Sequence, residues 1–298
     1  MTRPPRLEEK VVRGFSWAAA LAVPAIVGIL LGFLLWRGVP GLSLSLFFGD
    51  TPPLDAMLRS APVFDGLWPA CQGTLSLVIL AMGLAVPLGI ASGIYLAEYA
   101  TGRLRRVLSF CVDLLAGIPS ILMGLFGFAL ILLLRKTVAP VANTGLLLSA
   151  LCLALLVLPY LISTTRLAVQ GLPHALRLTG ASLGFSHGQV VARILLPAAM
   201  HGIFCGVILA IGRAAEDTAV ILLTGVVANA GAPSSLTGKY EALPFHIYYL
   251  AAEYQTPAQL TQAFAAALVL LGLTGLMFAM ARCLHARLDK KWKTGTSH

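Results

Sequence analysis

Charged residues are scarce in this sequence of 298 residues. Asp, Glu, Lys and Arg make up 11% of it and hydrophobic residues 58%, whereas soluble globular domains carry about 25% charged residues. A water-soluble enzyme would need a larger polar surface than this composition supplies. Because no low-complexity tract or collagen-like repeat explains the apolar excess, the composition predicts an integral membrane protein.

Residue patterns that carry covalent chemistry are also missing. The five cysteines show no paired spacing, so their expected role is packing, not disulfide or metal binding. The six histidines form no zinc-ligand pattern, and no Gly-x-Ser-x-Gly elbow occurs. The stretch 231–239 resembles a phosphate loop, but Pro233 and Tyr240 occupy positions where that loop needs Gly and Ser or Thr. The sequence therefore predicts no enzyme, no metal and no cofactor bound by this chain.

Long charge-free runs are present instead. A membrane span needs about 20 apolar residues, and the runs predict six such helices in an all-α integral membrane fold. The fifth span is predicted to be one helix with three charges in its middle. The first span is expected to be an uncleaved membrane anchor. The predicted spans cover about 15–36, 72–97, 108–134, 145–166, 200–225 and 262–282.

The positions of the basic residues predict the orientation. Of the 21 Lys and Arg residues, 15 fall in segments on one side and 5 on the other, so we expect both termini in the cytoplasm. These charges are spread over short loops facing anionic lipid, which is not a nucleic-acid-binding pattern. The expected organisation is a cytoplasmic tail (1–13), a first span with an outer loop (14–70), a transmembrane domain (71–282) and a basic cytoplasmic tail (283–298).

Three charges within the fifth span form the strongest internal signal. Their spacing places Glu216 and Asp217 on the same helix face as Arg213. One interpretation is a self-neutralising group that helps a helix pack. The other is an anion-binding arginine whose charge is moderated by the acids, so that it can both bind and release an oxyanion.

The third span contains a backbone weak point. Gly117 and Pro119 predict a kink, which either is structural or lines a pathway. Asp113 is a second isolated charge in this span. It would either line the pathway or pair with a loop arginine such as Arg105 or Arg106.

The segment 166–198 on the inner side is too long for a plain turn. Leu172-Pro173 is expected to open a short helix that Gly184 ends. Ser186 and Gln189 predict a capping box for a second helix, which Pro197 is expected to end. The pair would either rest on lipid or dock a cytoplasmic partner.

Several motifs resemble those of membrane subunits of bacterial ABC importers, and more narrowly the phosphate permease family PstA. Residues 87–99 are similar to a PLGI…YLxEY stretch, 117–127 to GIPSI…GLFG, and 212–219 to GRAxGETA. Residues 172–197 match the frame of the EAA loop, with Leu178 at the position of its glutamate. The resemblance runs from about Gly73 to Thr224.

The resemblance implies a type I, MetI-like importer fold with cytoplasmic coupling helices in the bacterial inner membrane. It implies four kinds of partner: membrane lipid, a second, PstC-like permease, a PstB-like ATPase dimer that binds ATP and Mg, and an extracytoplasmic, PstS-like phosphate-binding protein. The candidate pathway residues are Arg213, Glu216, Asp217, Asp113, Pro119 and Ser120. The candidate ATPase-coupling residues are Pro173, Arg177, Leu178, Gly184, Phe185, Ser186 and Gln189.

Three other functions stay open on the sequence alone. An ABC importer of the same kind could carry another oxyanion, such as tungstate, molybdate or sulfate. A secondary transporter would need no ATPase, but only one broken span and no second copy of it is found. A membrane enzyme should present paired carboxylates or a nucleophile at one membrane face, and neither pattern is present.

Overall fold

A computed structural model describes residues 7–49, 51–58, 63, 66–137, 140 and 142–294. Residues 1–6, 50, 59–62, 64–65, 138–139, 141 and 295–298 therefore lie outside the described residues, with the predictions that fall on them. Six helical segments are long and apolar enough to cross a membrane, which confirms the predicted number of spans. They are Val12–Gly41, Trp68–Tyr99, Ser120–Thr137, Leu146–Gln170, His187–Glu216 and Pro257–Arg287.

Regular structure in the described part of the chain is helical, apart from an isolated bridge between Val226 and Tyr240. Two five-residue π-helical turns, Tyr95–Tyr99 and Val191–Leu195, extend neighbouring α-helices. The α-helices are α1 (Leu7–Gly38), α2 (Leu44–Phe48), α3 (Pro53–Leu58), α4 (Trp68–Ile94), α5 (Gly102–Ala116), α6 (Ser120–Thr137), α7 (Leu146–Gln170), α8 (His174–Ser182), α9 (His187–Val190), α10 (Leu196–Glu216), α11 (Ala219–Thr224), α12 (Leu243–Glu253) and α13 (Pro257–Thr294).

Helix α7 forms the centre of the bundle, and α1 lies at its edge. Two thirds of the span in α7 is buried within the chain, against none of the span in α1. On one side, Gly93 of α4 lies against Thr165 of α7. On the other side, Gly206 of α10 lies against Thr164. Since a glycine lets two helix backbones approach closely in a membrane, α4 and α10 both pack tightly on α7.

Two predicted spans are broken, not continuous. The third is divided at Gly117–Pro119 into α5 and α6, a full break where a kink was expected, because Pro119 has no N–H to continue the helix. The fifth was predicted as one helix with three charges in its middle, which is wrong. Helix α10 ends at Glu216, and two residues separate it from α11, which begins at Ala219.

The predicted helix end at Pro197 is also wrong. Helix α9 passes through the π-helical turn Val191–Leu195 directly into α10, and Pro197 lies in the first turn of α10. The π-helical turn lies just before Pro197, whose missing N–H interrupts the regular hydrogen-bond ladder of an α-helix, and the helix continues past this position. The residues from α9 onward and the fifth span thus form one helix of 30 residues, His187–Glu216.

The loop before α12 packs on the first turns of α4. Thr74 Oγ1 accepts a hydrogen bond from the N–H of Leu243 at 2.8 Å. A Cβ on Gly73 would overlap the carbonyl oxygen of Glu241. Tyr240 is fully buried beside it, and this burial raises the pKa of its hydroxyl above its usual value. The loop is therefore fixed to the bundle by close backbone contact.

Replacing Gly73 with alanine should destabilise this contact. The added methyl group meets backbone, which cannot turn aside, so we expect a loss of about 1–3 kcal/mol, as for overpacked cores. The measurement is the thermal unfolding midpoint of the purified protein in detergent. Gly83→Ala on the same helix is the control, because a Cβ there meets no heavy atom within 4 Å. Equal midpoints for the two variants would contradict the prediction.

Candidate functional site

Arg213 and Asp217 meet where α10 ends. Arg213 Nη2 lies 3.4 Å from Asp217 Oδ2, and the side chains are 45% and 2% exposed. The other oxygen of Asp217 accepts the N–H of Val220 at 2.9 Å, which caps α11. The buried carboxylate of Asp217 therefore caps the first turn of α11 and also partly neutralises the charge of Arg213.

The packing register places Arg213 near the middle of the bundle. Gly202 and Gly206 of α10 lie against Ala168 and Thr164 of α7. The two helices are thus antiparallel, and continuing the same register brings Arg213 level with about the centre of Leu146–Gln170. An arginine at that depth in a span is costly unless it is paired or faces a polar path.

The break in the third span lies beside the break in the fifth. On α6, a Cβ on Gly124 would be 3.0 Å from the carbonyl oxygens of Ala219 and Val220, and Gly127 lies against Thr224. The glycines of the GLFG motif therefore let α6 and α11 run side by side in the same direction. Ser120 lies one turn before Gly124 on the same helix face, so it stands level with the end of α10, directly after Pro119.

This arrangement has the chemistry of an oxyanion contact. A guanidinium has five N–H donors, and Asp217 engages Arg213 only at 3.4 Å, which is longer than the 2.7–2.9 Å of a strong charge-assisted bond. Donors therefore remain on an exposed guanidinium beside two helix breaks. Among the described residues, no group of His, Cys, Asp and Glu fit to hold a metal is found.

Glu216 and Asp113 are placed differently from the other pathway residues. Glu216, the last residue of α10, is exposed like Arg213 but, unlike Asp217, forms no ion pair with it within the described chain. Asp113 is exposed on α5, ahead of the break. The structure shows no ion pair between it and Arg105 or Arg106.

The segment 172–195 has the predicted local structure. Pro173 directly precedes α8, and Gly184, at a φ of +77°, ends the following turn. Phe185 N–H reaches the carbonyl of Gly180 at 3.1 Å, which is the Schellman pattern of a helix end. The capping box of α9 is present, with both Ser186–Gln189 hydrogen bonds formed. These three predictions of local structure are confirmed.

The remaining coupling residues divide into two groups. Leu178 is exposed on α8, as is Leu183 just after it, so this segment presents apolar surface. Phe185 is half-buried against the cluster of Val190, Val191 and Leu195, whereas the guanidinium of Arg177 is turned toward the bundle.

Sequence reasoning missed the partner of Arg177. Glu98, in the π-helical turn after α4, accepts a hydrogen bond from Arg177 Nη2 at 2.6 Å, and 79 residues separate the two in the chain. The available signal was that Glu98 is the sole acidic residue between 66 and 112. It stands at the end of a charge-free run.

Residues 85–290 match the family model described as "Binding-protein-dependent transport system inner membrane component", which is more than half of the chain. The chain belongs to this family. It is therefore a multi-pass membrane subunit of a transport system and not itself an enzyme. The residues matched include the broken third and fifth spans, the Arg213 region and the segment 172–195.

Curated relatives carry the names of phosphate permeases. PstA 1 of Mycobacterium tuberculosis is 36% identical over 187 residues, which cover 61% of this chain and 59% of that protein. PstA of Yersinia pestis is 34% identical over 227 residues, covering 74% of this chain and 72% of that protein. PstC of Mesorhizobium japonicum is 31% identical over 315 residues, covering 96% and 92%.

Solved structures share the fold. A permease chain of the methionine ABC transporter MetNI, in an inward-facing conformation, aligns with a TM-score of 0.53 at 18% identity, covering 81% of this chain and 99% of that one. A chain of a bacterial alginate ABC transporter aligns with a TM-score of 0.62 at 16% identity, covering 96% and 99%. The MetI-like importer fold is therefore confirmed.

Proposed function

We propose that this chain is a permease subunit of an ATP-driven importer that carries inorganic phosphate across the bacterial inner membrane. The observation that carries the proposal is Arg213, an incompletely paired guanidinium at mid-depth beside two helix breaks. Relatives named as phosphate permeases support phosphate as the transported ion. Both PstA and PstC proteins are among them, and the assignment of this chain as the PstA-like partner of a PstC-like subunit is part of the proposal.

Arg213 suits transient binding of phosphate because Asp217 already neutralises part of its charge. Phosphate oxygens accept charge-assisted hydrogen bonds from a guanidinium in a bidentate manner. The carboxylate of Asp217 competes for the same donors at 3.4 Å. A site that transports must bind strongly enough to admit the ion and weakly enough to release it, and Asp217 lowers the affinity of Arg213 in this way.

The basic residues support an orientation with both termini in the cytoplasm. The segment 172–195 then faces the cytoplasm, where it would contact a PstB-like ATPase dimer. ATP and Mg would bind to that partner, since we find no nucleotide motif in this sequence. A PstS-like binding protein would deliver phosphate to the opposite face.

Uptake by reconstituted vesicles tests the proposal. The complex of this chain with its second permease and ATPase is reconstituted, and labelled phosphate is supplied outside with the binding protein. We expect phosphate to accumulate only when ATP is present at the ATPase. Excess sulfate, molybdate or tungstate should not compete, because the binding protein and pathway are set for phosphate.

The same assay contains the outcomes that contradict the proposal. Accumulation by this chain alone, without nucleotide or partners, would make it a secondary transporter. Preferential uptake of sulfate, molybdate or tungstate would replace phosphate as the substrate. Vesicles lacking only the binding protein are the control for leakage.

A further inference from the structure

Arg177 directs its guanidinium toward the bundle, although it lies on the exposed segment expected to meet the ATPase. Its Nη2 lies 2.6 Å from Glu98 Oε1 and 3.0 Å from the carbonyl oxygen of Val169. Its Nη1 donates to the carbonyl of Leu172 at 3.1 Å, and Nε reaches Glu98 at 3.2 Å. All three nitrogens are engaged within the chain, so Arg177 joins α8 to the ends of α4 and α7.

Glu98 lies just after α4, where the segment 172–195 packs against the end of that helix. Its side chain is 6% exposed, against 23% for Arg177, so the pair is largely withdrawn from solvent. Beside it, the ring of Tyr99 meets the ring of His187 edge-to-face at 4.9 Å. Ile94 packs on the buried cluster of the segment. The π-helical turn Tyr95–Tyr99 carries Glu98 and Tyr99, and such turns recur at functional sites.

The helices on the two sides of this contact are attached to the segment in different ways. Helix α10 continues from α9 without a break, so any displacement of α9 reaches it through the helix itself. Helix α4 has no such connection. It packs on α7 through Gly89 against Leu161 and Gly93 against Thr165, so α4 and α7 form a packed pair. Because α7 reaches α8 only through the turn 171–173, the ion pair is the direct charged contact that fixes α8 to this pair.

We propose that the Arg177–Glu98 ion pair is the joint that passes displacement of the segment 172–195 to the packed pair α4 and α7. This rests on the proposed function, since the displacement comes from a docked ATPase. Arg177 is thereby a positioning residue within the coupling segment and not an ATPase contact. Glu98 is the residue after α4 that accepts its hydrogen bonds. In a chain without the joint, a docked ATPase that moves α8 and α10 would displace α4 and α7 less than in the wild-type chain.

The test removes the pair without leaving a buried charge unpaired. In Glu98→Leu/Arg177→Met both partners become apolar, which proteins tolerate better than loss of one partner. The purified complex is reconstituted, and phosphate accumulated per ATP hydrolysed is measured. We expect ATPase binding and ATP hydrolysis to persist while that ratio falls about tenfold, within the usual range of coupling between sites. Arg177→Lys, which keeps the charge but not the fork of donors, should give an intermediate ratio.

Glu253→Gln is the matched control, because Glu253 is an exposed glutamate at the end of α12. Its ratio should equal that of the wild type. An unchanged ratio in the doubly substituted complex would overturn the joint. If that variant does not assemble, Glu98→Gln replaces it, since the amide keeps an acceptor for Arg177 but loses the charge, and the same comparison applies.

A second measurement separates failure of the joint from failure of the proposed function. Spin labels at Ile79 of α4 and Leu209 of α10, both exposed, report the distance between the two helices in a background free of native cysteine. Binding of an ATP analogue should change this distance in the wild-type complex and should change it differently once the pair is removed. An identical change in both would overturn the joint, whichever ion is transported, whereas absent phosphate uptake by the wild type would overturn the function alone.

Discussion

Replacing Arg213 with alanine should reduce phosphate uptake at least about 100-fold while the complex still assembles. Two effects act in the same direction. The change removes the charge-assisted donors to the anion, and it leaves the buried carboxylate of Asp217 without its cation, so that the remaining charge repels phosphate. The measurement is ATP-dependent uptake of labelled phosphate by vesicles that contain equal amounts of assembled complex.

Further variants separate loss of the anion contact from local unfolding. In Arg213→Ala/Asp217→Asn the repelling charge is gone, but asparagine still offers an oxygen to the N–H of Val220, so α11 keeps its cap. Uptake should stay low, because the cationic donors are absent. Arg37→Ala, at an exposed arginine in the last turn of α1, should transport normally. Full uptake by an assembled Arg213→Ala complex would remove Arg213 from the pathway.

Replacing Leu178 and Leu183 together with aspartate should release the ATPase subunit from the membrane. Both leucines are exposed on the segment 172–195. Apolar side chains at a protein interface lose their contribution when a charge must be buried in their place. The folded permease should remain, because neither side chain belongs to a buried cluster. The measurement is the ATPase recovered per permease after purification, and we expect it to fall at least about tenfold.

Leu236→Asp provides the matched control. Leu236 is equally an exposed leucine, but it lies in the loop between α11 and α12, near the opposite end of the bundle. The ATPase should be retained there at the wild-type ratio. Retention of the ATPase by the Leu178/Leu183 variant would show that the segment rests on lipid instead of docking a partner.

Local chemistry explains which parts of the fold could be predicted. The turn at Gly184 and the capping box of Ser186 and Gln189 depend on residues three or four positions apart, so the sequence contains all the information they need. The number of spans depends on hydropathy alone. Pro119 indicated the position of the first break, although its extent depends on the packing of α6 against α11.

Long-range contacts explain what could not be predicted. In the sequence, Asp217 is one of three charges within a predicted span. Its role as a helix cap becomes apparent only from the structure, in which α11 begins just after it. Proline at 197 suggested a helix end, yet the helix continues through it, with the π-helical turn Val191–Leu195 just before the proline. Glu98 and Arg177 lie 79 residues apart, and no pattern in one sequence pairs them. Those contacts depend on how α4, α7 and α8 meet.

The uninterrupted helix His187–Glu216 has a mechanical consequence. Its 30 residues extend about 45 Å, and Arg213 is near the end remote from α9. A pivot of about 5° at the α9 end would sweep the guanidinium through roughly 3 Å, about the length of one hydrogen bond. Under the proposed function, a small displacement of α9 by the docked ATPase would therefore be enough to make or break the contact between Arg213 and the anion.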